Sequence, residues 1–327
     1  MVALLVSVFE GWPRQLPGAD PAAFFRWKHL GSPFGPSAMV VAEADGAVIG
    51  FQALLRWPVA AGRGTVESVR GADIAVDPAH RGRGVAGALI RAAAAEVAGE
   101  VAFVFSNPNA MSDPMLVKLG RRPVGPFEAL VRPRRPLRML RARRSAAASA
   151  PPAATETAGP PSIAAETATE ALRDTAELSA LLANVPAAAG RFATPLDPAY
   201  LRWRYGSAGD YRAIRVRRGG QLRGLAIFRV VPRGPLWVSV VCEVLAAGDD
   251  ARVRRRLLRR ALGAAPVDYA VSHFPRGSAA RRTALGAGFV RTPGGHRLLV
   301  NQLEEGIDPD PTDTASWALS YGDLELL

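Results

Sequence analysis

The residues with the clearest chemical potential follow a short apolar run, Ile74–Val76, that predicts a buried strand. Pro78 ends this strand, because proline lacks the amide donor that strand pairing needs. The turn that comes next alternates arginine with glycine, and an alanine-rich helix follows it to about Val97. Glycines let backbone amides approach an anion, a helix N-terminus favours negative charge, and arginine binds phosphate. The pattern therefore predicts a pyrophosphate-binding turn at Arg81, Gly82, Arg83 and Gly84.

Two familiar nucleotide motifs fit this turn poorly. Gly82, Gly84 and Gly87 match the dinucleotide pattern G-x-G-x-x-G on paper, but no acidic residue follows a second strand about 20 positions on, as that fingerprint requires. The G-K-[ST] of a P-loop is also missing. An ordinary glycine turn between a strand and a helix is the simplest alternative.

The composition favours a reduced, cytoplasmic enzyme or binding protein. A length of 327 residues predicts two domains, and the chain contains no apolar run long enough for a membrane span. Cys242 is the only cysteine, and the four histidines lack metal-ligand spacing, so we expect no metal site. The net charge of +12 comes almost wholly from arginine and favours an anionic ligand, either a phosphate-bearing cofactor or nucleic acid. The alternative is that an Ala/Arg/Gly-rich composition reflects a GC-rich genome, and we expect this to account for most of the charge.

Helices and strands are expected in a regular order along the first half. The predicted elements are a helix at Ala3–Phe9, a helix after Asp20-Pro21, a hairpin of 38–42 and 47–55 around Asp45-Gly46, a strand within 65–76, the helix after the turn, a strand at 101–105, a helix from Asp113 to Gly120 and a strand at 124–131.

The turn and its flanks resemble the acyl-CoA loop of the GNAT acyltransferase superfamily. The resemblance rests on V-x-P followed by R-x-x-G-x-A, which here is Val76, Pro78, Arg81, Gly84 and Ala86. The order of the predicted elements is also similar to that of a GNAT domain. The resemblance implies an α/β (α+β) fold with a mixed, mostly antiparallel sheet flanked by helices, and acetyl-CoA as the co-substrate.

The resemblance also implies a set of site residues. Asp73 becomes the candidate general base, with Glu67 as the alternative; Asp73 would need desolvation to raise its pKa from about 3.9. Asp73 could instead only cap a turn or pair with an arginine. The tyrosine that often serves as general acid in the family is replaced by Leu116. The implied cofactor-binding residues are Ala75, Val76, Arg81, Gly82, Arg83, Gly84, Val85, Ala86 and Asn109.

The second half repeats the first. The offset between matching residues is 176 at Trp27 and Trp203, and it falls to 174 at Gly50 and Gly224, which is typical of a duplicated domain. We therefore predict two tandem GNAT-like domains at 1–135 and 162–303, an Arg-rich and then Ala/Pro-rich linker at 136–161, and a tail at 304–327.

The second copy lacks the turn. Its matching stretch has one glycine, and two aspartates, Asp249 and Asp250, stand where phosphates would lie. Like charges repel, so we expect CoA only in the first copy. Glu243 aligns with Asp73, and its expected role is structural.

Two expectations concern the ends of the chain. The alternating tail around Trp317–Leu324 predicts an edge strand, with its aromatic residues docking the tail rather than lining a pocket. The second copy should begin with a strand at Ile163–Thr167 that the first copy lacks. The open sheet edge would then be covered by the tail strand or by a second chain in a homodimer.

These patterns favour an N-acetyltransferase that transfers an acetyl or acyl group from CoA to a primary amine of a small molecule. We keep two alternatives: an acyl-CoA-binding protein without turnover, and a nucleic-acid-binding protein that uses its arginines. Nucleic acid is the less favoured partner, and no membrane partner is expected.

Overall fold

The structure, a computed structural model, describes residues 1–13, 16, 18–62, 64–148, 161–188 and 190–324. The first half forms the elements α1 (Val2–Val8), α2 (Pro21–Phe25), β1 (Ala38–Ala44), β2 (Ala47–Arg56), β3 (Val59–Ala61), β4 (Gly64–Val66), β5 (Ser68–Val76), α3 (Val85–Glu96), β6 (Phe103–Ser106), α4 (Asp113–Lys118), β7 (Arg122–Pro133) and α5 (Pro136–Ala148).

The second half has a similar order. It forms β8 (Glu166–Thr167), α6 (Ala168–Ala171), α7 (Thr175–Leu182), α8 (Pro198–Leu201), β9 (Tyr211–Arg218), β10 (Gln221–Arg233), β11 (Leu236–Ala246), α9 (Ala251–Gly263), β12 (Tyr269–Ser272), α10 (Ala279–Gly286), β13 (Val290–Gln302) and α11 (Tyr321–Leu324).

One 11-stranded sheet runs through both halves, in the order β1-β2-β5-β6-β13-β7-β12-β11-β10-β9-β8. Its pairs are antiparallel except for β5 with β6 and β11 with β12. This is the mixed, mostly antiparallel sheet flanked by helices that the sequence predicts, so the predicted fold class is confirmed.

The two halves exchange their last strands. β13 pairs with β6 of the first half, with Leu299 opposite Ser106, and β7 pairs with β12 of the second half, with Tyr269 opposite Pro133. β7 and β13 also pair with each other. The sequence boundary between the two predicted domains is therefore not a boundary in space.

The internal repeat is visible in side-chain contacts. Trp27 Nε1 donates to the Trp203 carbonyl, Trp203 Nε1 donates to the Trp27 carbonyl, both at 2.9 Å, and the two rings stack. Gly50 and Gly224 are equivalent as well. A Cβ at Gly50 would come within 2.8 Å of Leu89 on α3, and one at Gly224 within 2.5 Å of Val253 on α9. Each glycine therefore allows a helix to pack closely on the sheet.

The predicted linker begins as a helix. Pro136 occupies the first turn of α5, where its missing amide costs no hydrogen bond, and arginine, leucine and alanine favour the helix that follows. The Arg134 and Arg135 amides donate to the Asp268 carbonyl and fix the start of α5 on the second half. The rest of the predicted linker, 149–160, lies outside the described residues.

The predicted tail strand is wrong. Trp317 forms a single bridge with Phe192, and Tyr321–Leu324 is a short helix instead of a strand. Trp317 packs against Phe103, Phe105 and Phe192, so its alternation with apolar neighbours reflects docking onto the core. The preferred role of the tail aromatics, docking, is thereby confirmed.

The first copy starts with α1, while the second copy adds β8 next to β9. β8 contains only Glu166 and Thr167 of the predicted strand Ile163–Thr167. β1 consequently forms one edge of the sheet, and the described part of the tail does not pair with it. Pairing of a second chain with β1 stays a prediction. Among the residues described, no helix is both long and apolar enough to cross a membrane.

Candidate active site

The arginine–glycine turn leads into the start of α3, as the sequence predicts. Gly82 and Gly84 have φ angles of +75° and +82°, in the left-handed region that favours glycine. Gly84 is the N-cap of α3 and offers no side-chain acceptor, so the first amides of the helix have no side-chain cap. A Cβ at either glycine would meet no protein atom within 4 Å. The turn is thus open to an anion that binds the helix N-terminus.

The arginines of the turn are exposed, and Val85 and Ala86 are half-buried. Arg81 Nε donates to the Val76 carbonyl at 3.2 Å, which fixes the guanidinium beside the end of β5. The predicted pyrophosphate residues 81–86 therefore include two exposed arginines beside the start of α3.

A gap in the strand pairing, called the cleft below, lies beside this turn. β5 and β6 pair only as far as Arg70 opposite Phe105, and β5 then continues to Val76 paired with β2. Within the described residues, the other edge of 71–76 has no strand partner, although the Ala72 and Val76 carbonyls accept hydrogen bonds from the Gln52 and Arg81 side chains. The remaining peptide groups on this edge could bind a ligand. Ala75 and Val76, the predicted amide donors, lie on this stretch.

Asp73 does not have the properties expected of a general base. Its Oδ2 lies 2.7 Å from Lys28 Nζ and 2.9 Å from His29 Nε2. Burial works to raise the pKa of Asp73, but Lys28 and His29 outweigh it and lower the pKa to about 2. The rise of the pKa that a general base would need is therefore not found, and the alternative of a paired carboxylate is closer to the structure, with lysine and histidine as partners in place of arginine.

Glu67 lies away from the cleft. It precedes the first residue of β5, at the end of the strand opposite to Val76, and its side chain is exposed. Nine residues of extended chain separate Glu67 from Val76, which corresponds to roughly 25–30 Å. The structure does not bring Glu67 together with the turn.

Asn109 stabilises the turn that leads from β6 into α4. Its Oδ1 accepts hydrogen bonds from the Met111 and Ser112 amides at 3.0 and 2.9 Å. It also lines a cavity of about 330 Å³, together with Pro108, Ala110, Asp113, Pro114 and Arg297. Arg297 comes from the exchanged strand β13 and lies 2.9 Å from Asp113. Both halves of the chain thus build the surroundings of this site residue.

Sequence reasoning missed a buried arginine beside the cleft. Arg70 Nη2 donates to Asn107 Oδ1 at 2.9 Å, and Nη1 donates to the Asp323 carbonyl. Burial lowers the pKa of Arg70 to about 10. Asn107 Nδ2 donates in turn to the Arg297 carbonyl. No local pattern could have revealed this group, because Asp323 lies 253 residues away from Arg70.

In the second copy, an aspartate side chain caps the N-terminus of the equivalent helix, α9. Asp250 accepts hydrogen bonds from the Arg252 and Val253 amides at 2.8 and 3.1 Å, and Arg254 Nη1 pairs with Asp249. The amides at the start of α9 are therefore capped by a negative charge, in agreement with the predicted lack of a phosphate site there.

Leu116 is buried against Ile90 and Leu299 and offers no proton donor where the family often has tyrosine. Within the described ranges, no group of three or more histidine, cysteine, aspartate or glutamate side chains could hold a metal ion.

Residues 35–112, which include β5, the turn, α3 and β6, match the Acetyltransferase (GNAT) domain family. The match lies wholly in the first half of the chain. The resemblance predicted from the sequence is thereby confirmed. No curated protein matches the sequence.

Solved structures with a similar fold span nearly the whole chain. A GCN5-related N-acetyltransferase from Anabaena variabilis has a TM-score of 0.58 at 13% identity, over 93% of this chain and 69% of its own. Eis1 from Mycobacterium abscessus has a TM-score of 0.53 at 15% identity, over 92% and 69%. A probable N-acyltransferase from Enterococcus faecalis has a TM-score of 0.60 at 13% identity, over 92% and 69%. At these identities the likeness shows a shared fold that includes the GNAT domain and the second half.

Proposed function

We propose that this GNAT protein transfers an acetyl group from acetyl-CoA to a primary amine of a small molecule, with one active site in the first copy. The observation that carries the proposal is the uncapped start of α3, preceded by left-handed Gly82 and Gly84, next to the unpaired edge of β5. GNAT domains use acetyl-CoA, and these features suit its pyrophosphate and its extended pantetheine arm.

The residues of the chain have distinct tasks in this reaction. The amides of 82–86 and the guanidiniums of Arg81 and Arg83 hold the pyrophosphate. The amide of Ala75 or Val76 donates to the thioester carbonyl oxygen, which becomes more negative as the amine attacks. Acetyl-CoA supplies the activated acyl group, and the cleft holds the amine close to it, so that the reaction gains from proximity.

A small acceptor agrees with the cavity beside Asn109. Its volume of about 330 Å³ lies within the range of small-molecule sites, and it is open to solvent. Asp113 places a carboxylate in its wall, 2.9 Å from Arg297. Because Arg297 neutralises this carboxylate, the wall offers an amine hydrogen-bond acceptors and no net negative charge.

Calorimetry with CoA tests the predicted binding site. We expect one CoA per chain, and Gly84→Glu should abolish binding, because glutamate adds a negative charge at the helix N-terminus and strains a residue with φ of +82°. Gly248→Glu is the matched control, since Gly248 also has a positive φ, of +61°, in the turn before α9. This control should bind CoA normally. Two equivalent sites, or equal effects of both substitutions, would contradict the proposal.

Release of free CoA thiol in the presence of a panel of primary amines tests turnover. A second candidate function, acyl-CoA binding without turnover, is favoured by the buried Leu116 and by the ion pair of Asp73. A protein that binds CoA but releases no thiol with any amine would support this second candidate.

A further inference from the structure

Asp73 lies at an irregular point of β5. Phe51 is opposite Ala75 and Ala53 is opposite Ala72, so the strand contains an extra residue, a β-bulge, between these pairs. Asp73 itself has φ of +46°, which is uncommon for a residue with a side chain. A strained backbone of this kind persists only when its surroundings hold it in place.

The groups that hold it come from a π-helical turn, Arg26–Leu30, that follows α2. Lys28 and His29 both contact Asp73 Oδ2, and both side chains are buried. The His29 ring is fixed from its other nitrogen by Ser37 Oγ at 3.1 Å, and it packs against Phe25. The Asp73 carboxylate therefore connects β5 to the α2 side of the sheet.

The second copy contains the same connection with other residues. A second π-helical turn, Arg202–Gly206, places Tyr205 where the first copy has His29. Tyr205 Oη donates to Glu243 Oε1 at 2.7 Å, and Glu243 is the residue aligned with Asp73. Since the second copy lacks the phosphate-binding turn, a connection present in both copies belongs to the architecture of the strand and not to proton transfer.

We propose that Lys28, His29 and Asp73 form a positioning unit that holds the β5 bulge, and that Asp73 is not the general base of the reaction. The unit fixes the direction of the peptide groups at 74–76, which on the cleft side have no strand partner. The inference rests on the proposed acetyl transfer, because those peptide groups are the ones that would hold the thioester. The low pKa of Asp73, about 2, supports the same conclusion, since so weak a base accepts protons poorly near neutral pH.

Variants that remove the charge of Asp73, of Lys28 or of both can distinguish a positioning role of Asp73 from a role as general base. Asp73→Asn leaves the buried Lys28 ammonium without a carboxylate, and Lys28→Met leaves the Asp73 carboxylate with His29 alone. Each single variant should lower kcat by about tenfold or more, because an uncompensated buried charge distorts its surroundings. The double variant removes both charges, and its kcat should recover at least about tenfold from that of Asp73→Asn. Loss of a general base could not be recovered in this way, and it typically costs about 10²–10⁴-fold.

Hydrogen–deuterium exchange of the peptide that covers 71–76 gives a readout that needs no substrate. Asp73→Asn should speed exchange there, and the double variant should restore it. CoA affinity should fall less than kcat, because the amides and arginines of 81–86 that would hold the pyrophosphate lie outside the unit. Glu243→Gln is the matched control in the second copy, and it should leave kcat and the exchange of 71–76 unchanged.

Several outcomes would overturn the inference. These are a wild-type rate for Asp73→Asn, a folded double variant as slow as Asp73→Asn, or unchanged exchange at 71–76. If Asp73→Asn does not fold, the double variant decides: a kcat within about tenfold of wild type supports positioning, and a loss of about 10²–10⁴-fold contradicts it. If the wild-type protein acetylates no amine, the proposed function fails, and the exchange data alone decide about the positioning unit.

Discussion

Substitution of Glu243 by glutamine should remove a large part of the pH dependence of stability. Glu243 is buried, and its Oε1 accepts hydrogen bonds from Tyr205 Oη at 2.7 Å and Ser320 Oγ at 2.6 Å. Burial, and secondly the charge of Asp323, raise the pKa of Glu243 from 4.5 to about 8. Glutamine retains an oxygen that can accept both hydrogen bonds, but it cannot ionise.

The sign of the effect follows from the direction of the shift. Between pH 4.5 and 8 the folded protein keeps the Glu243 proton while the unfolded chain has lost it, so stability falls as pH rises. The slope is about 1.4 kcal/mol per pH unit. His273 makes stability rise with pH between about pH 4 and 6.5, because burial lowers its pKa from 6.5 to about 4. Above pH 6.5 His273 is neutral in both states, which leaves a clean window between pH 6.5 and 8.

Within this window we expect wild-type protein to lose about 2 kcal/mol of unfolding free energy more than Glu243→Gln loses. Urea denaturation at half-unit intervals measures both curves. Glu67→Gln is the control, because this carboxylate is exposed, and its curve should follow that of wild type. Parallel curves for wild type and Glu243→Gln would refute the reasoning, since they would show that Glu243 is ionised in the folded protein.

Two further predictions concern close packing and the repeat. Gly322→Ala should lower the unfolding free energy by about 1–3 kcal/mol, because its Cβ would lie 1.9 Å from Tyr205 Oη. Gly286→Ala is the control: its Cβ would meet nothing within 4 Å, so it should be neutral or slightly stabilising. Equal effects of the two substitutions on thermal unfolding would contradict this prediction. Trp27→Phe removes the donor to the Trp203 carbonyl and should lower the unfolding free energy, measured by urea denaturation, by about 1–3 kcal/mol. An unchanged urea midpoint would show that this pair does not hold the two copies together.

The local features of the site follow from the sequence. The left-handed glycines, the stop at Pro78 and the start of α3 depend on residues a few positions apart, so the order of residue types is enough to predict them. The duplication is also predictable, because Trp27 and Trp203 or Gly50 and Gly224 occur in the same order at nearly constant offset.

The role of Asp73 could not be predicted from neighbouring residues. Its position before the turn is visible in the sequence, but its pKa depends on Lys28 and His29, which lie more than 40 residues earlier. Whether burial raises the pKa of a carboxyl or a cation lowers it is decided by which side chains are close in space. Glu67 fails as a candidate for a geometric reason, since it lies at the far end of an extended strand.

In the tail, the alternation of apolar and polar residues was not enough to predict the local structure. Trp317, Leu319 and Tyr321 alternate with smaller residues, and an edge strand and an extended segment docked on a core give the same alternation. Only the contacts of Trp317 with Phe103 and Phe192 distinguish the two.

The sequence by itself determined the arginine–glycine turn, the order of helices and strands, and the presence of two copies, because these depend on neighbouring residues or on direct repetition. Only the tertiary structure decided that β7 and β13 change places, that Arg297 comes next to Asn109, and that Asp73 pairs with Lys28 and is hydrogen-bonded to His29. The physical reason is that the strands of two related copies have similar patterns and can pair in either arrangement. The choice between them depends on packing across the whole sheet.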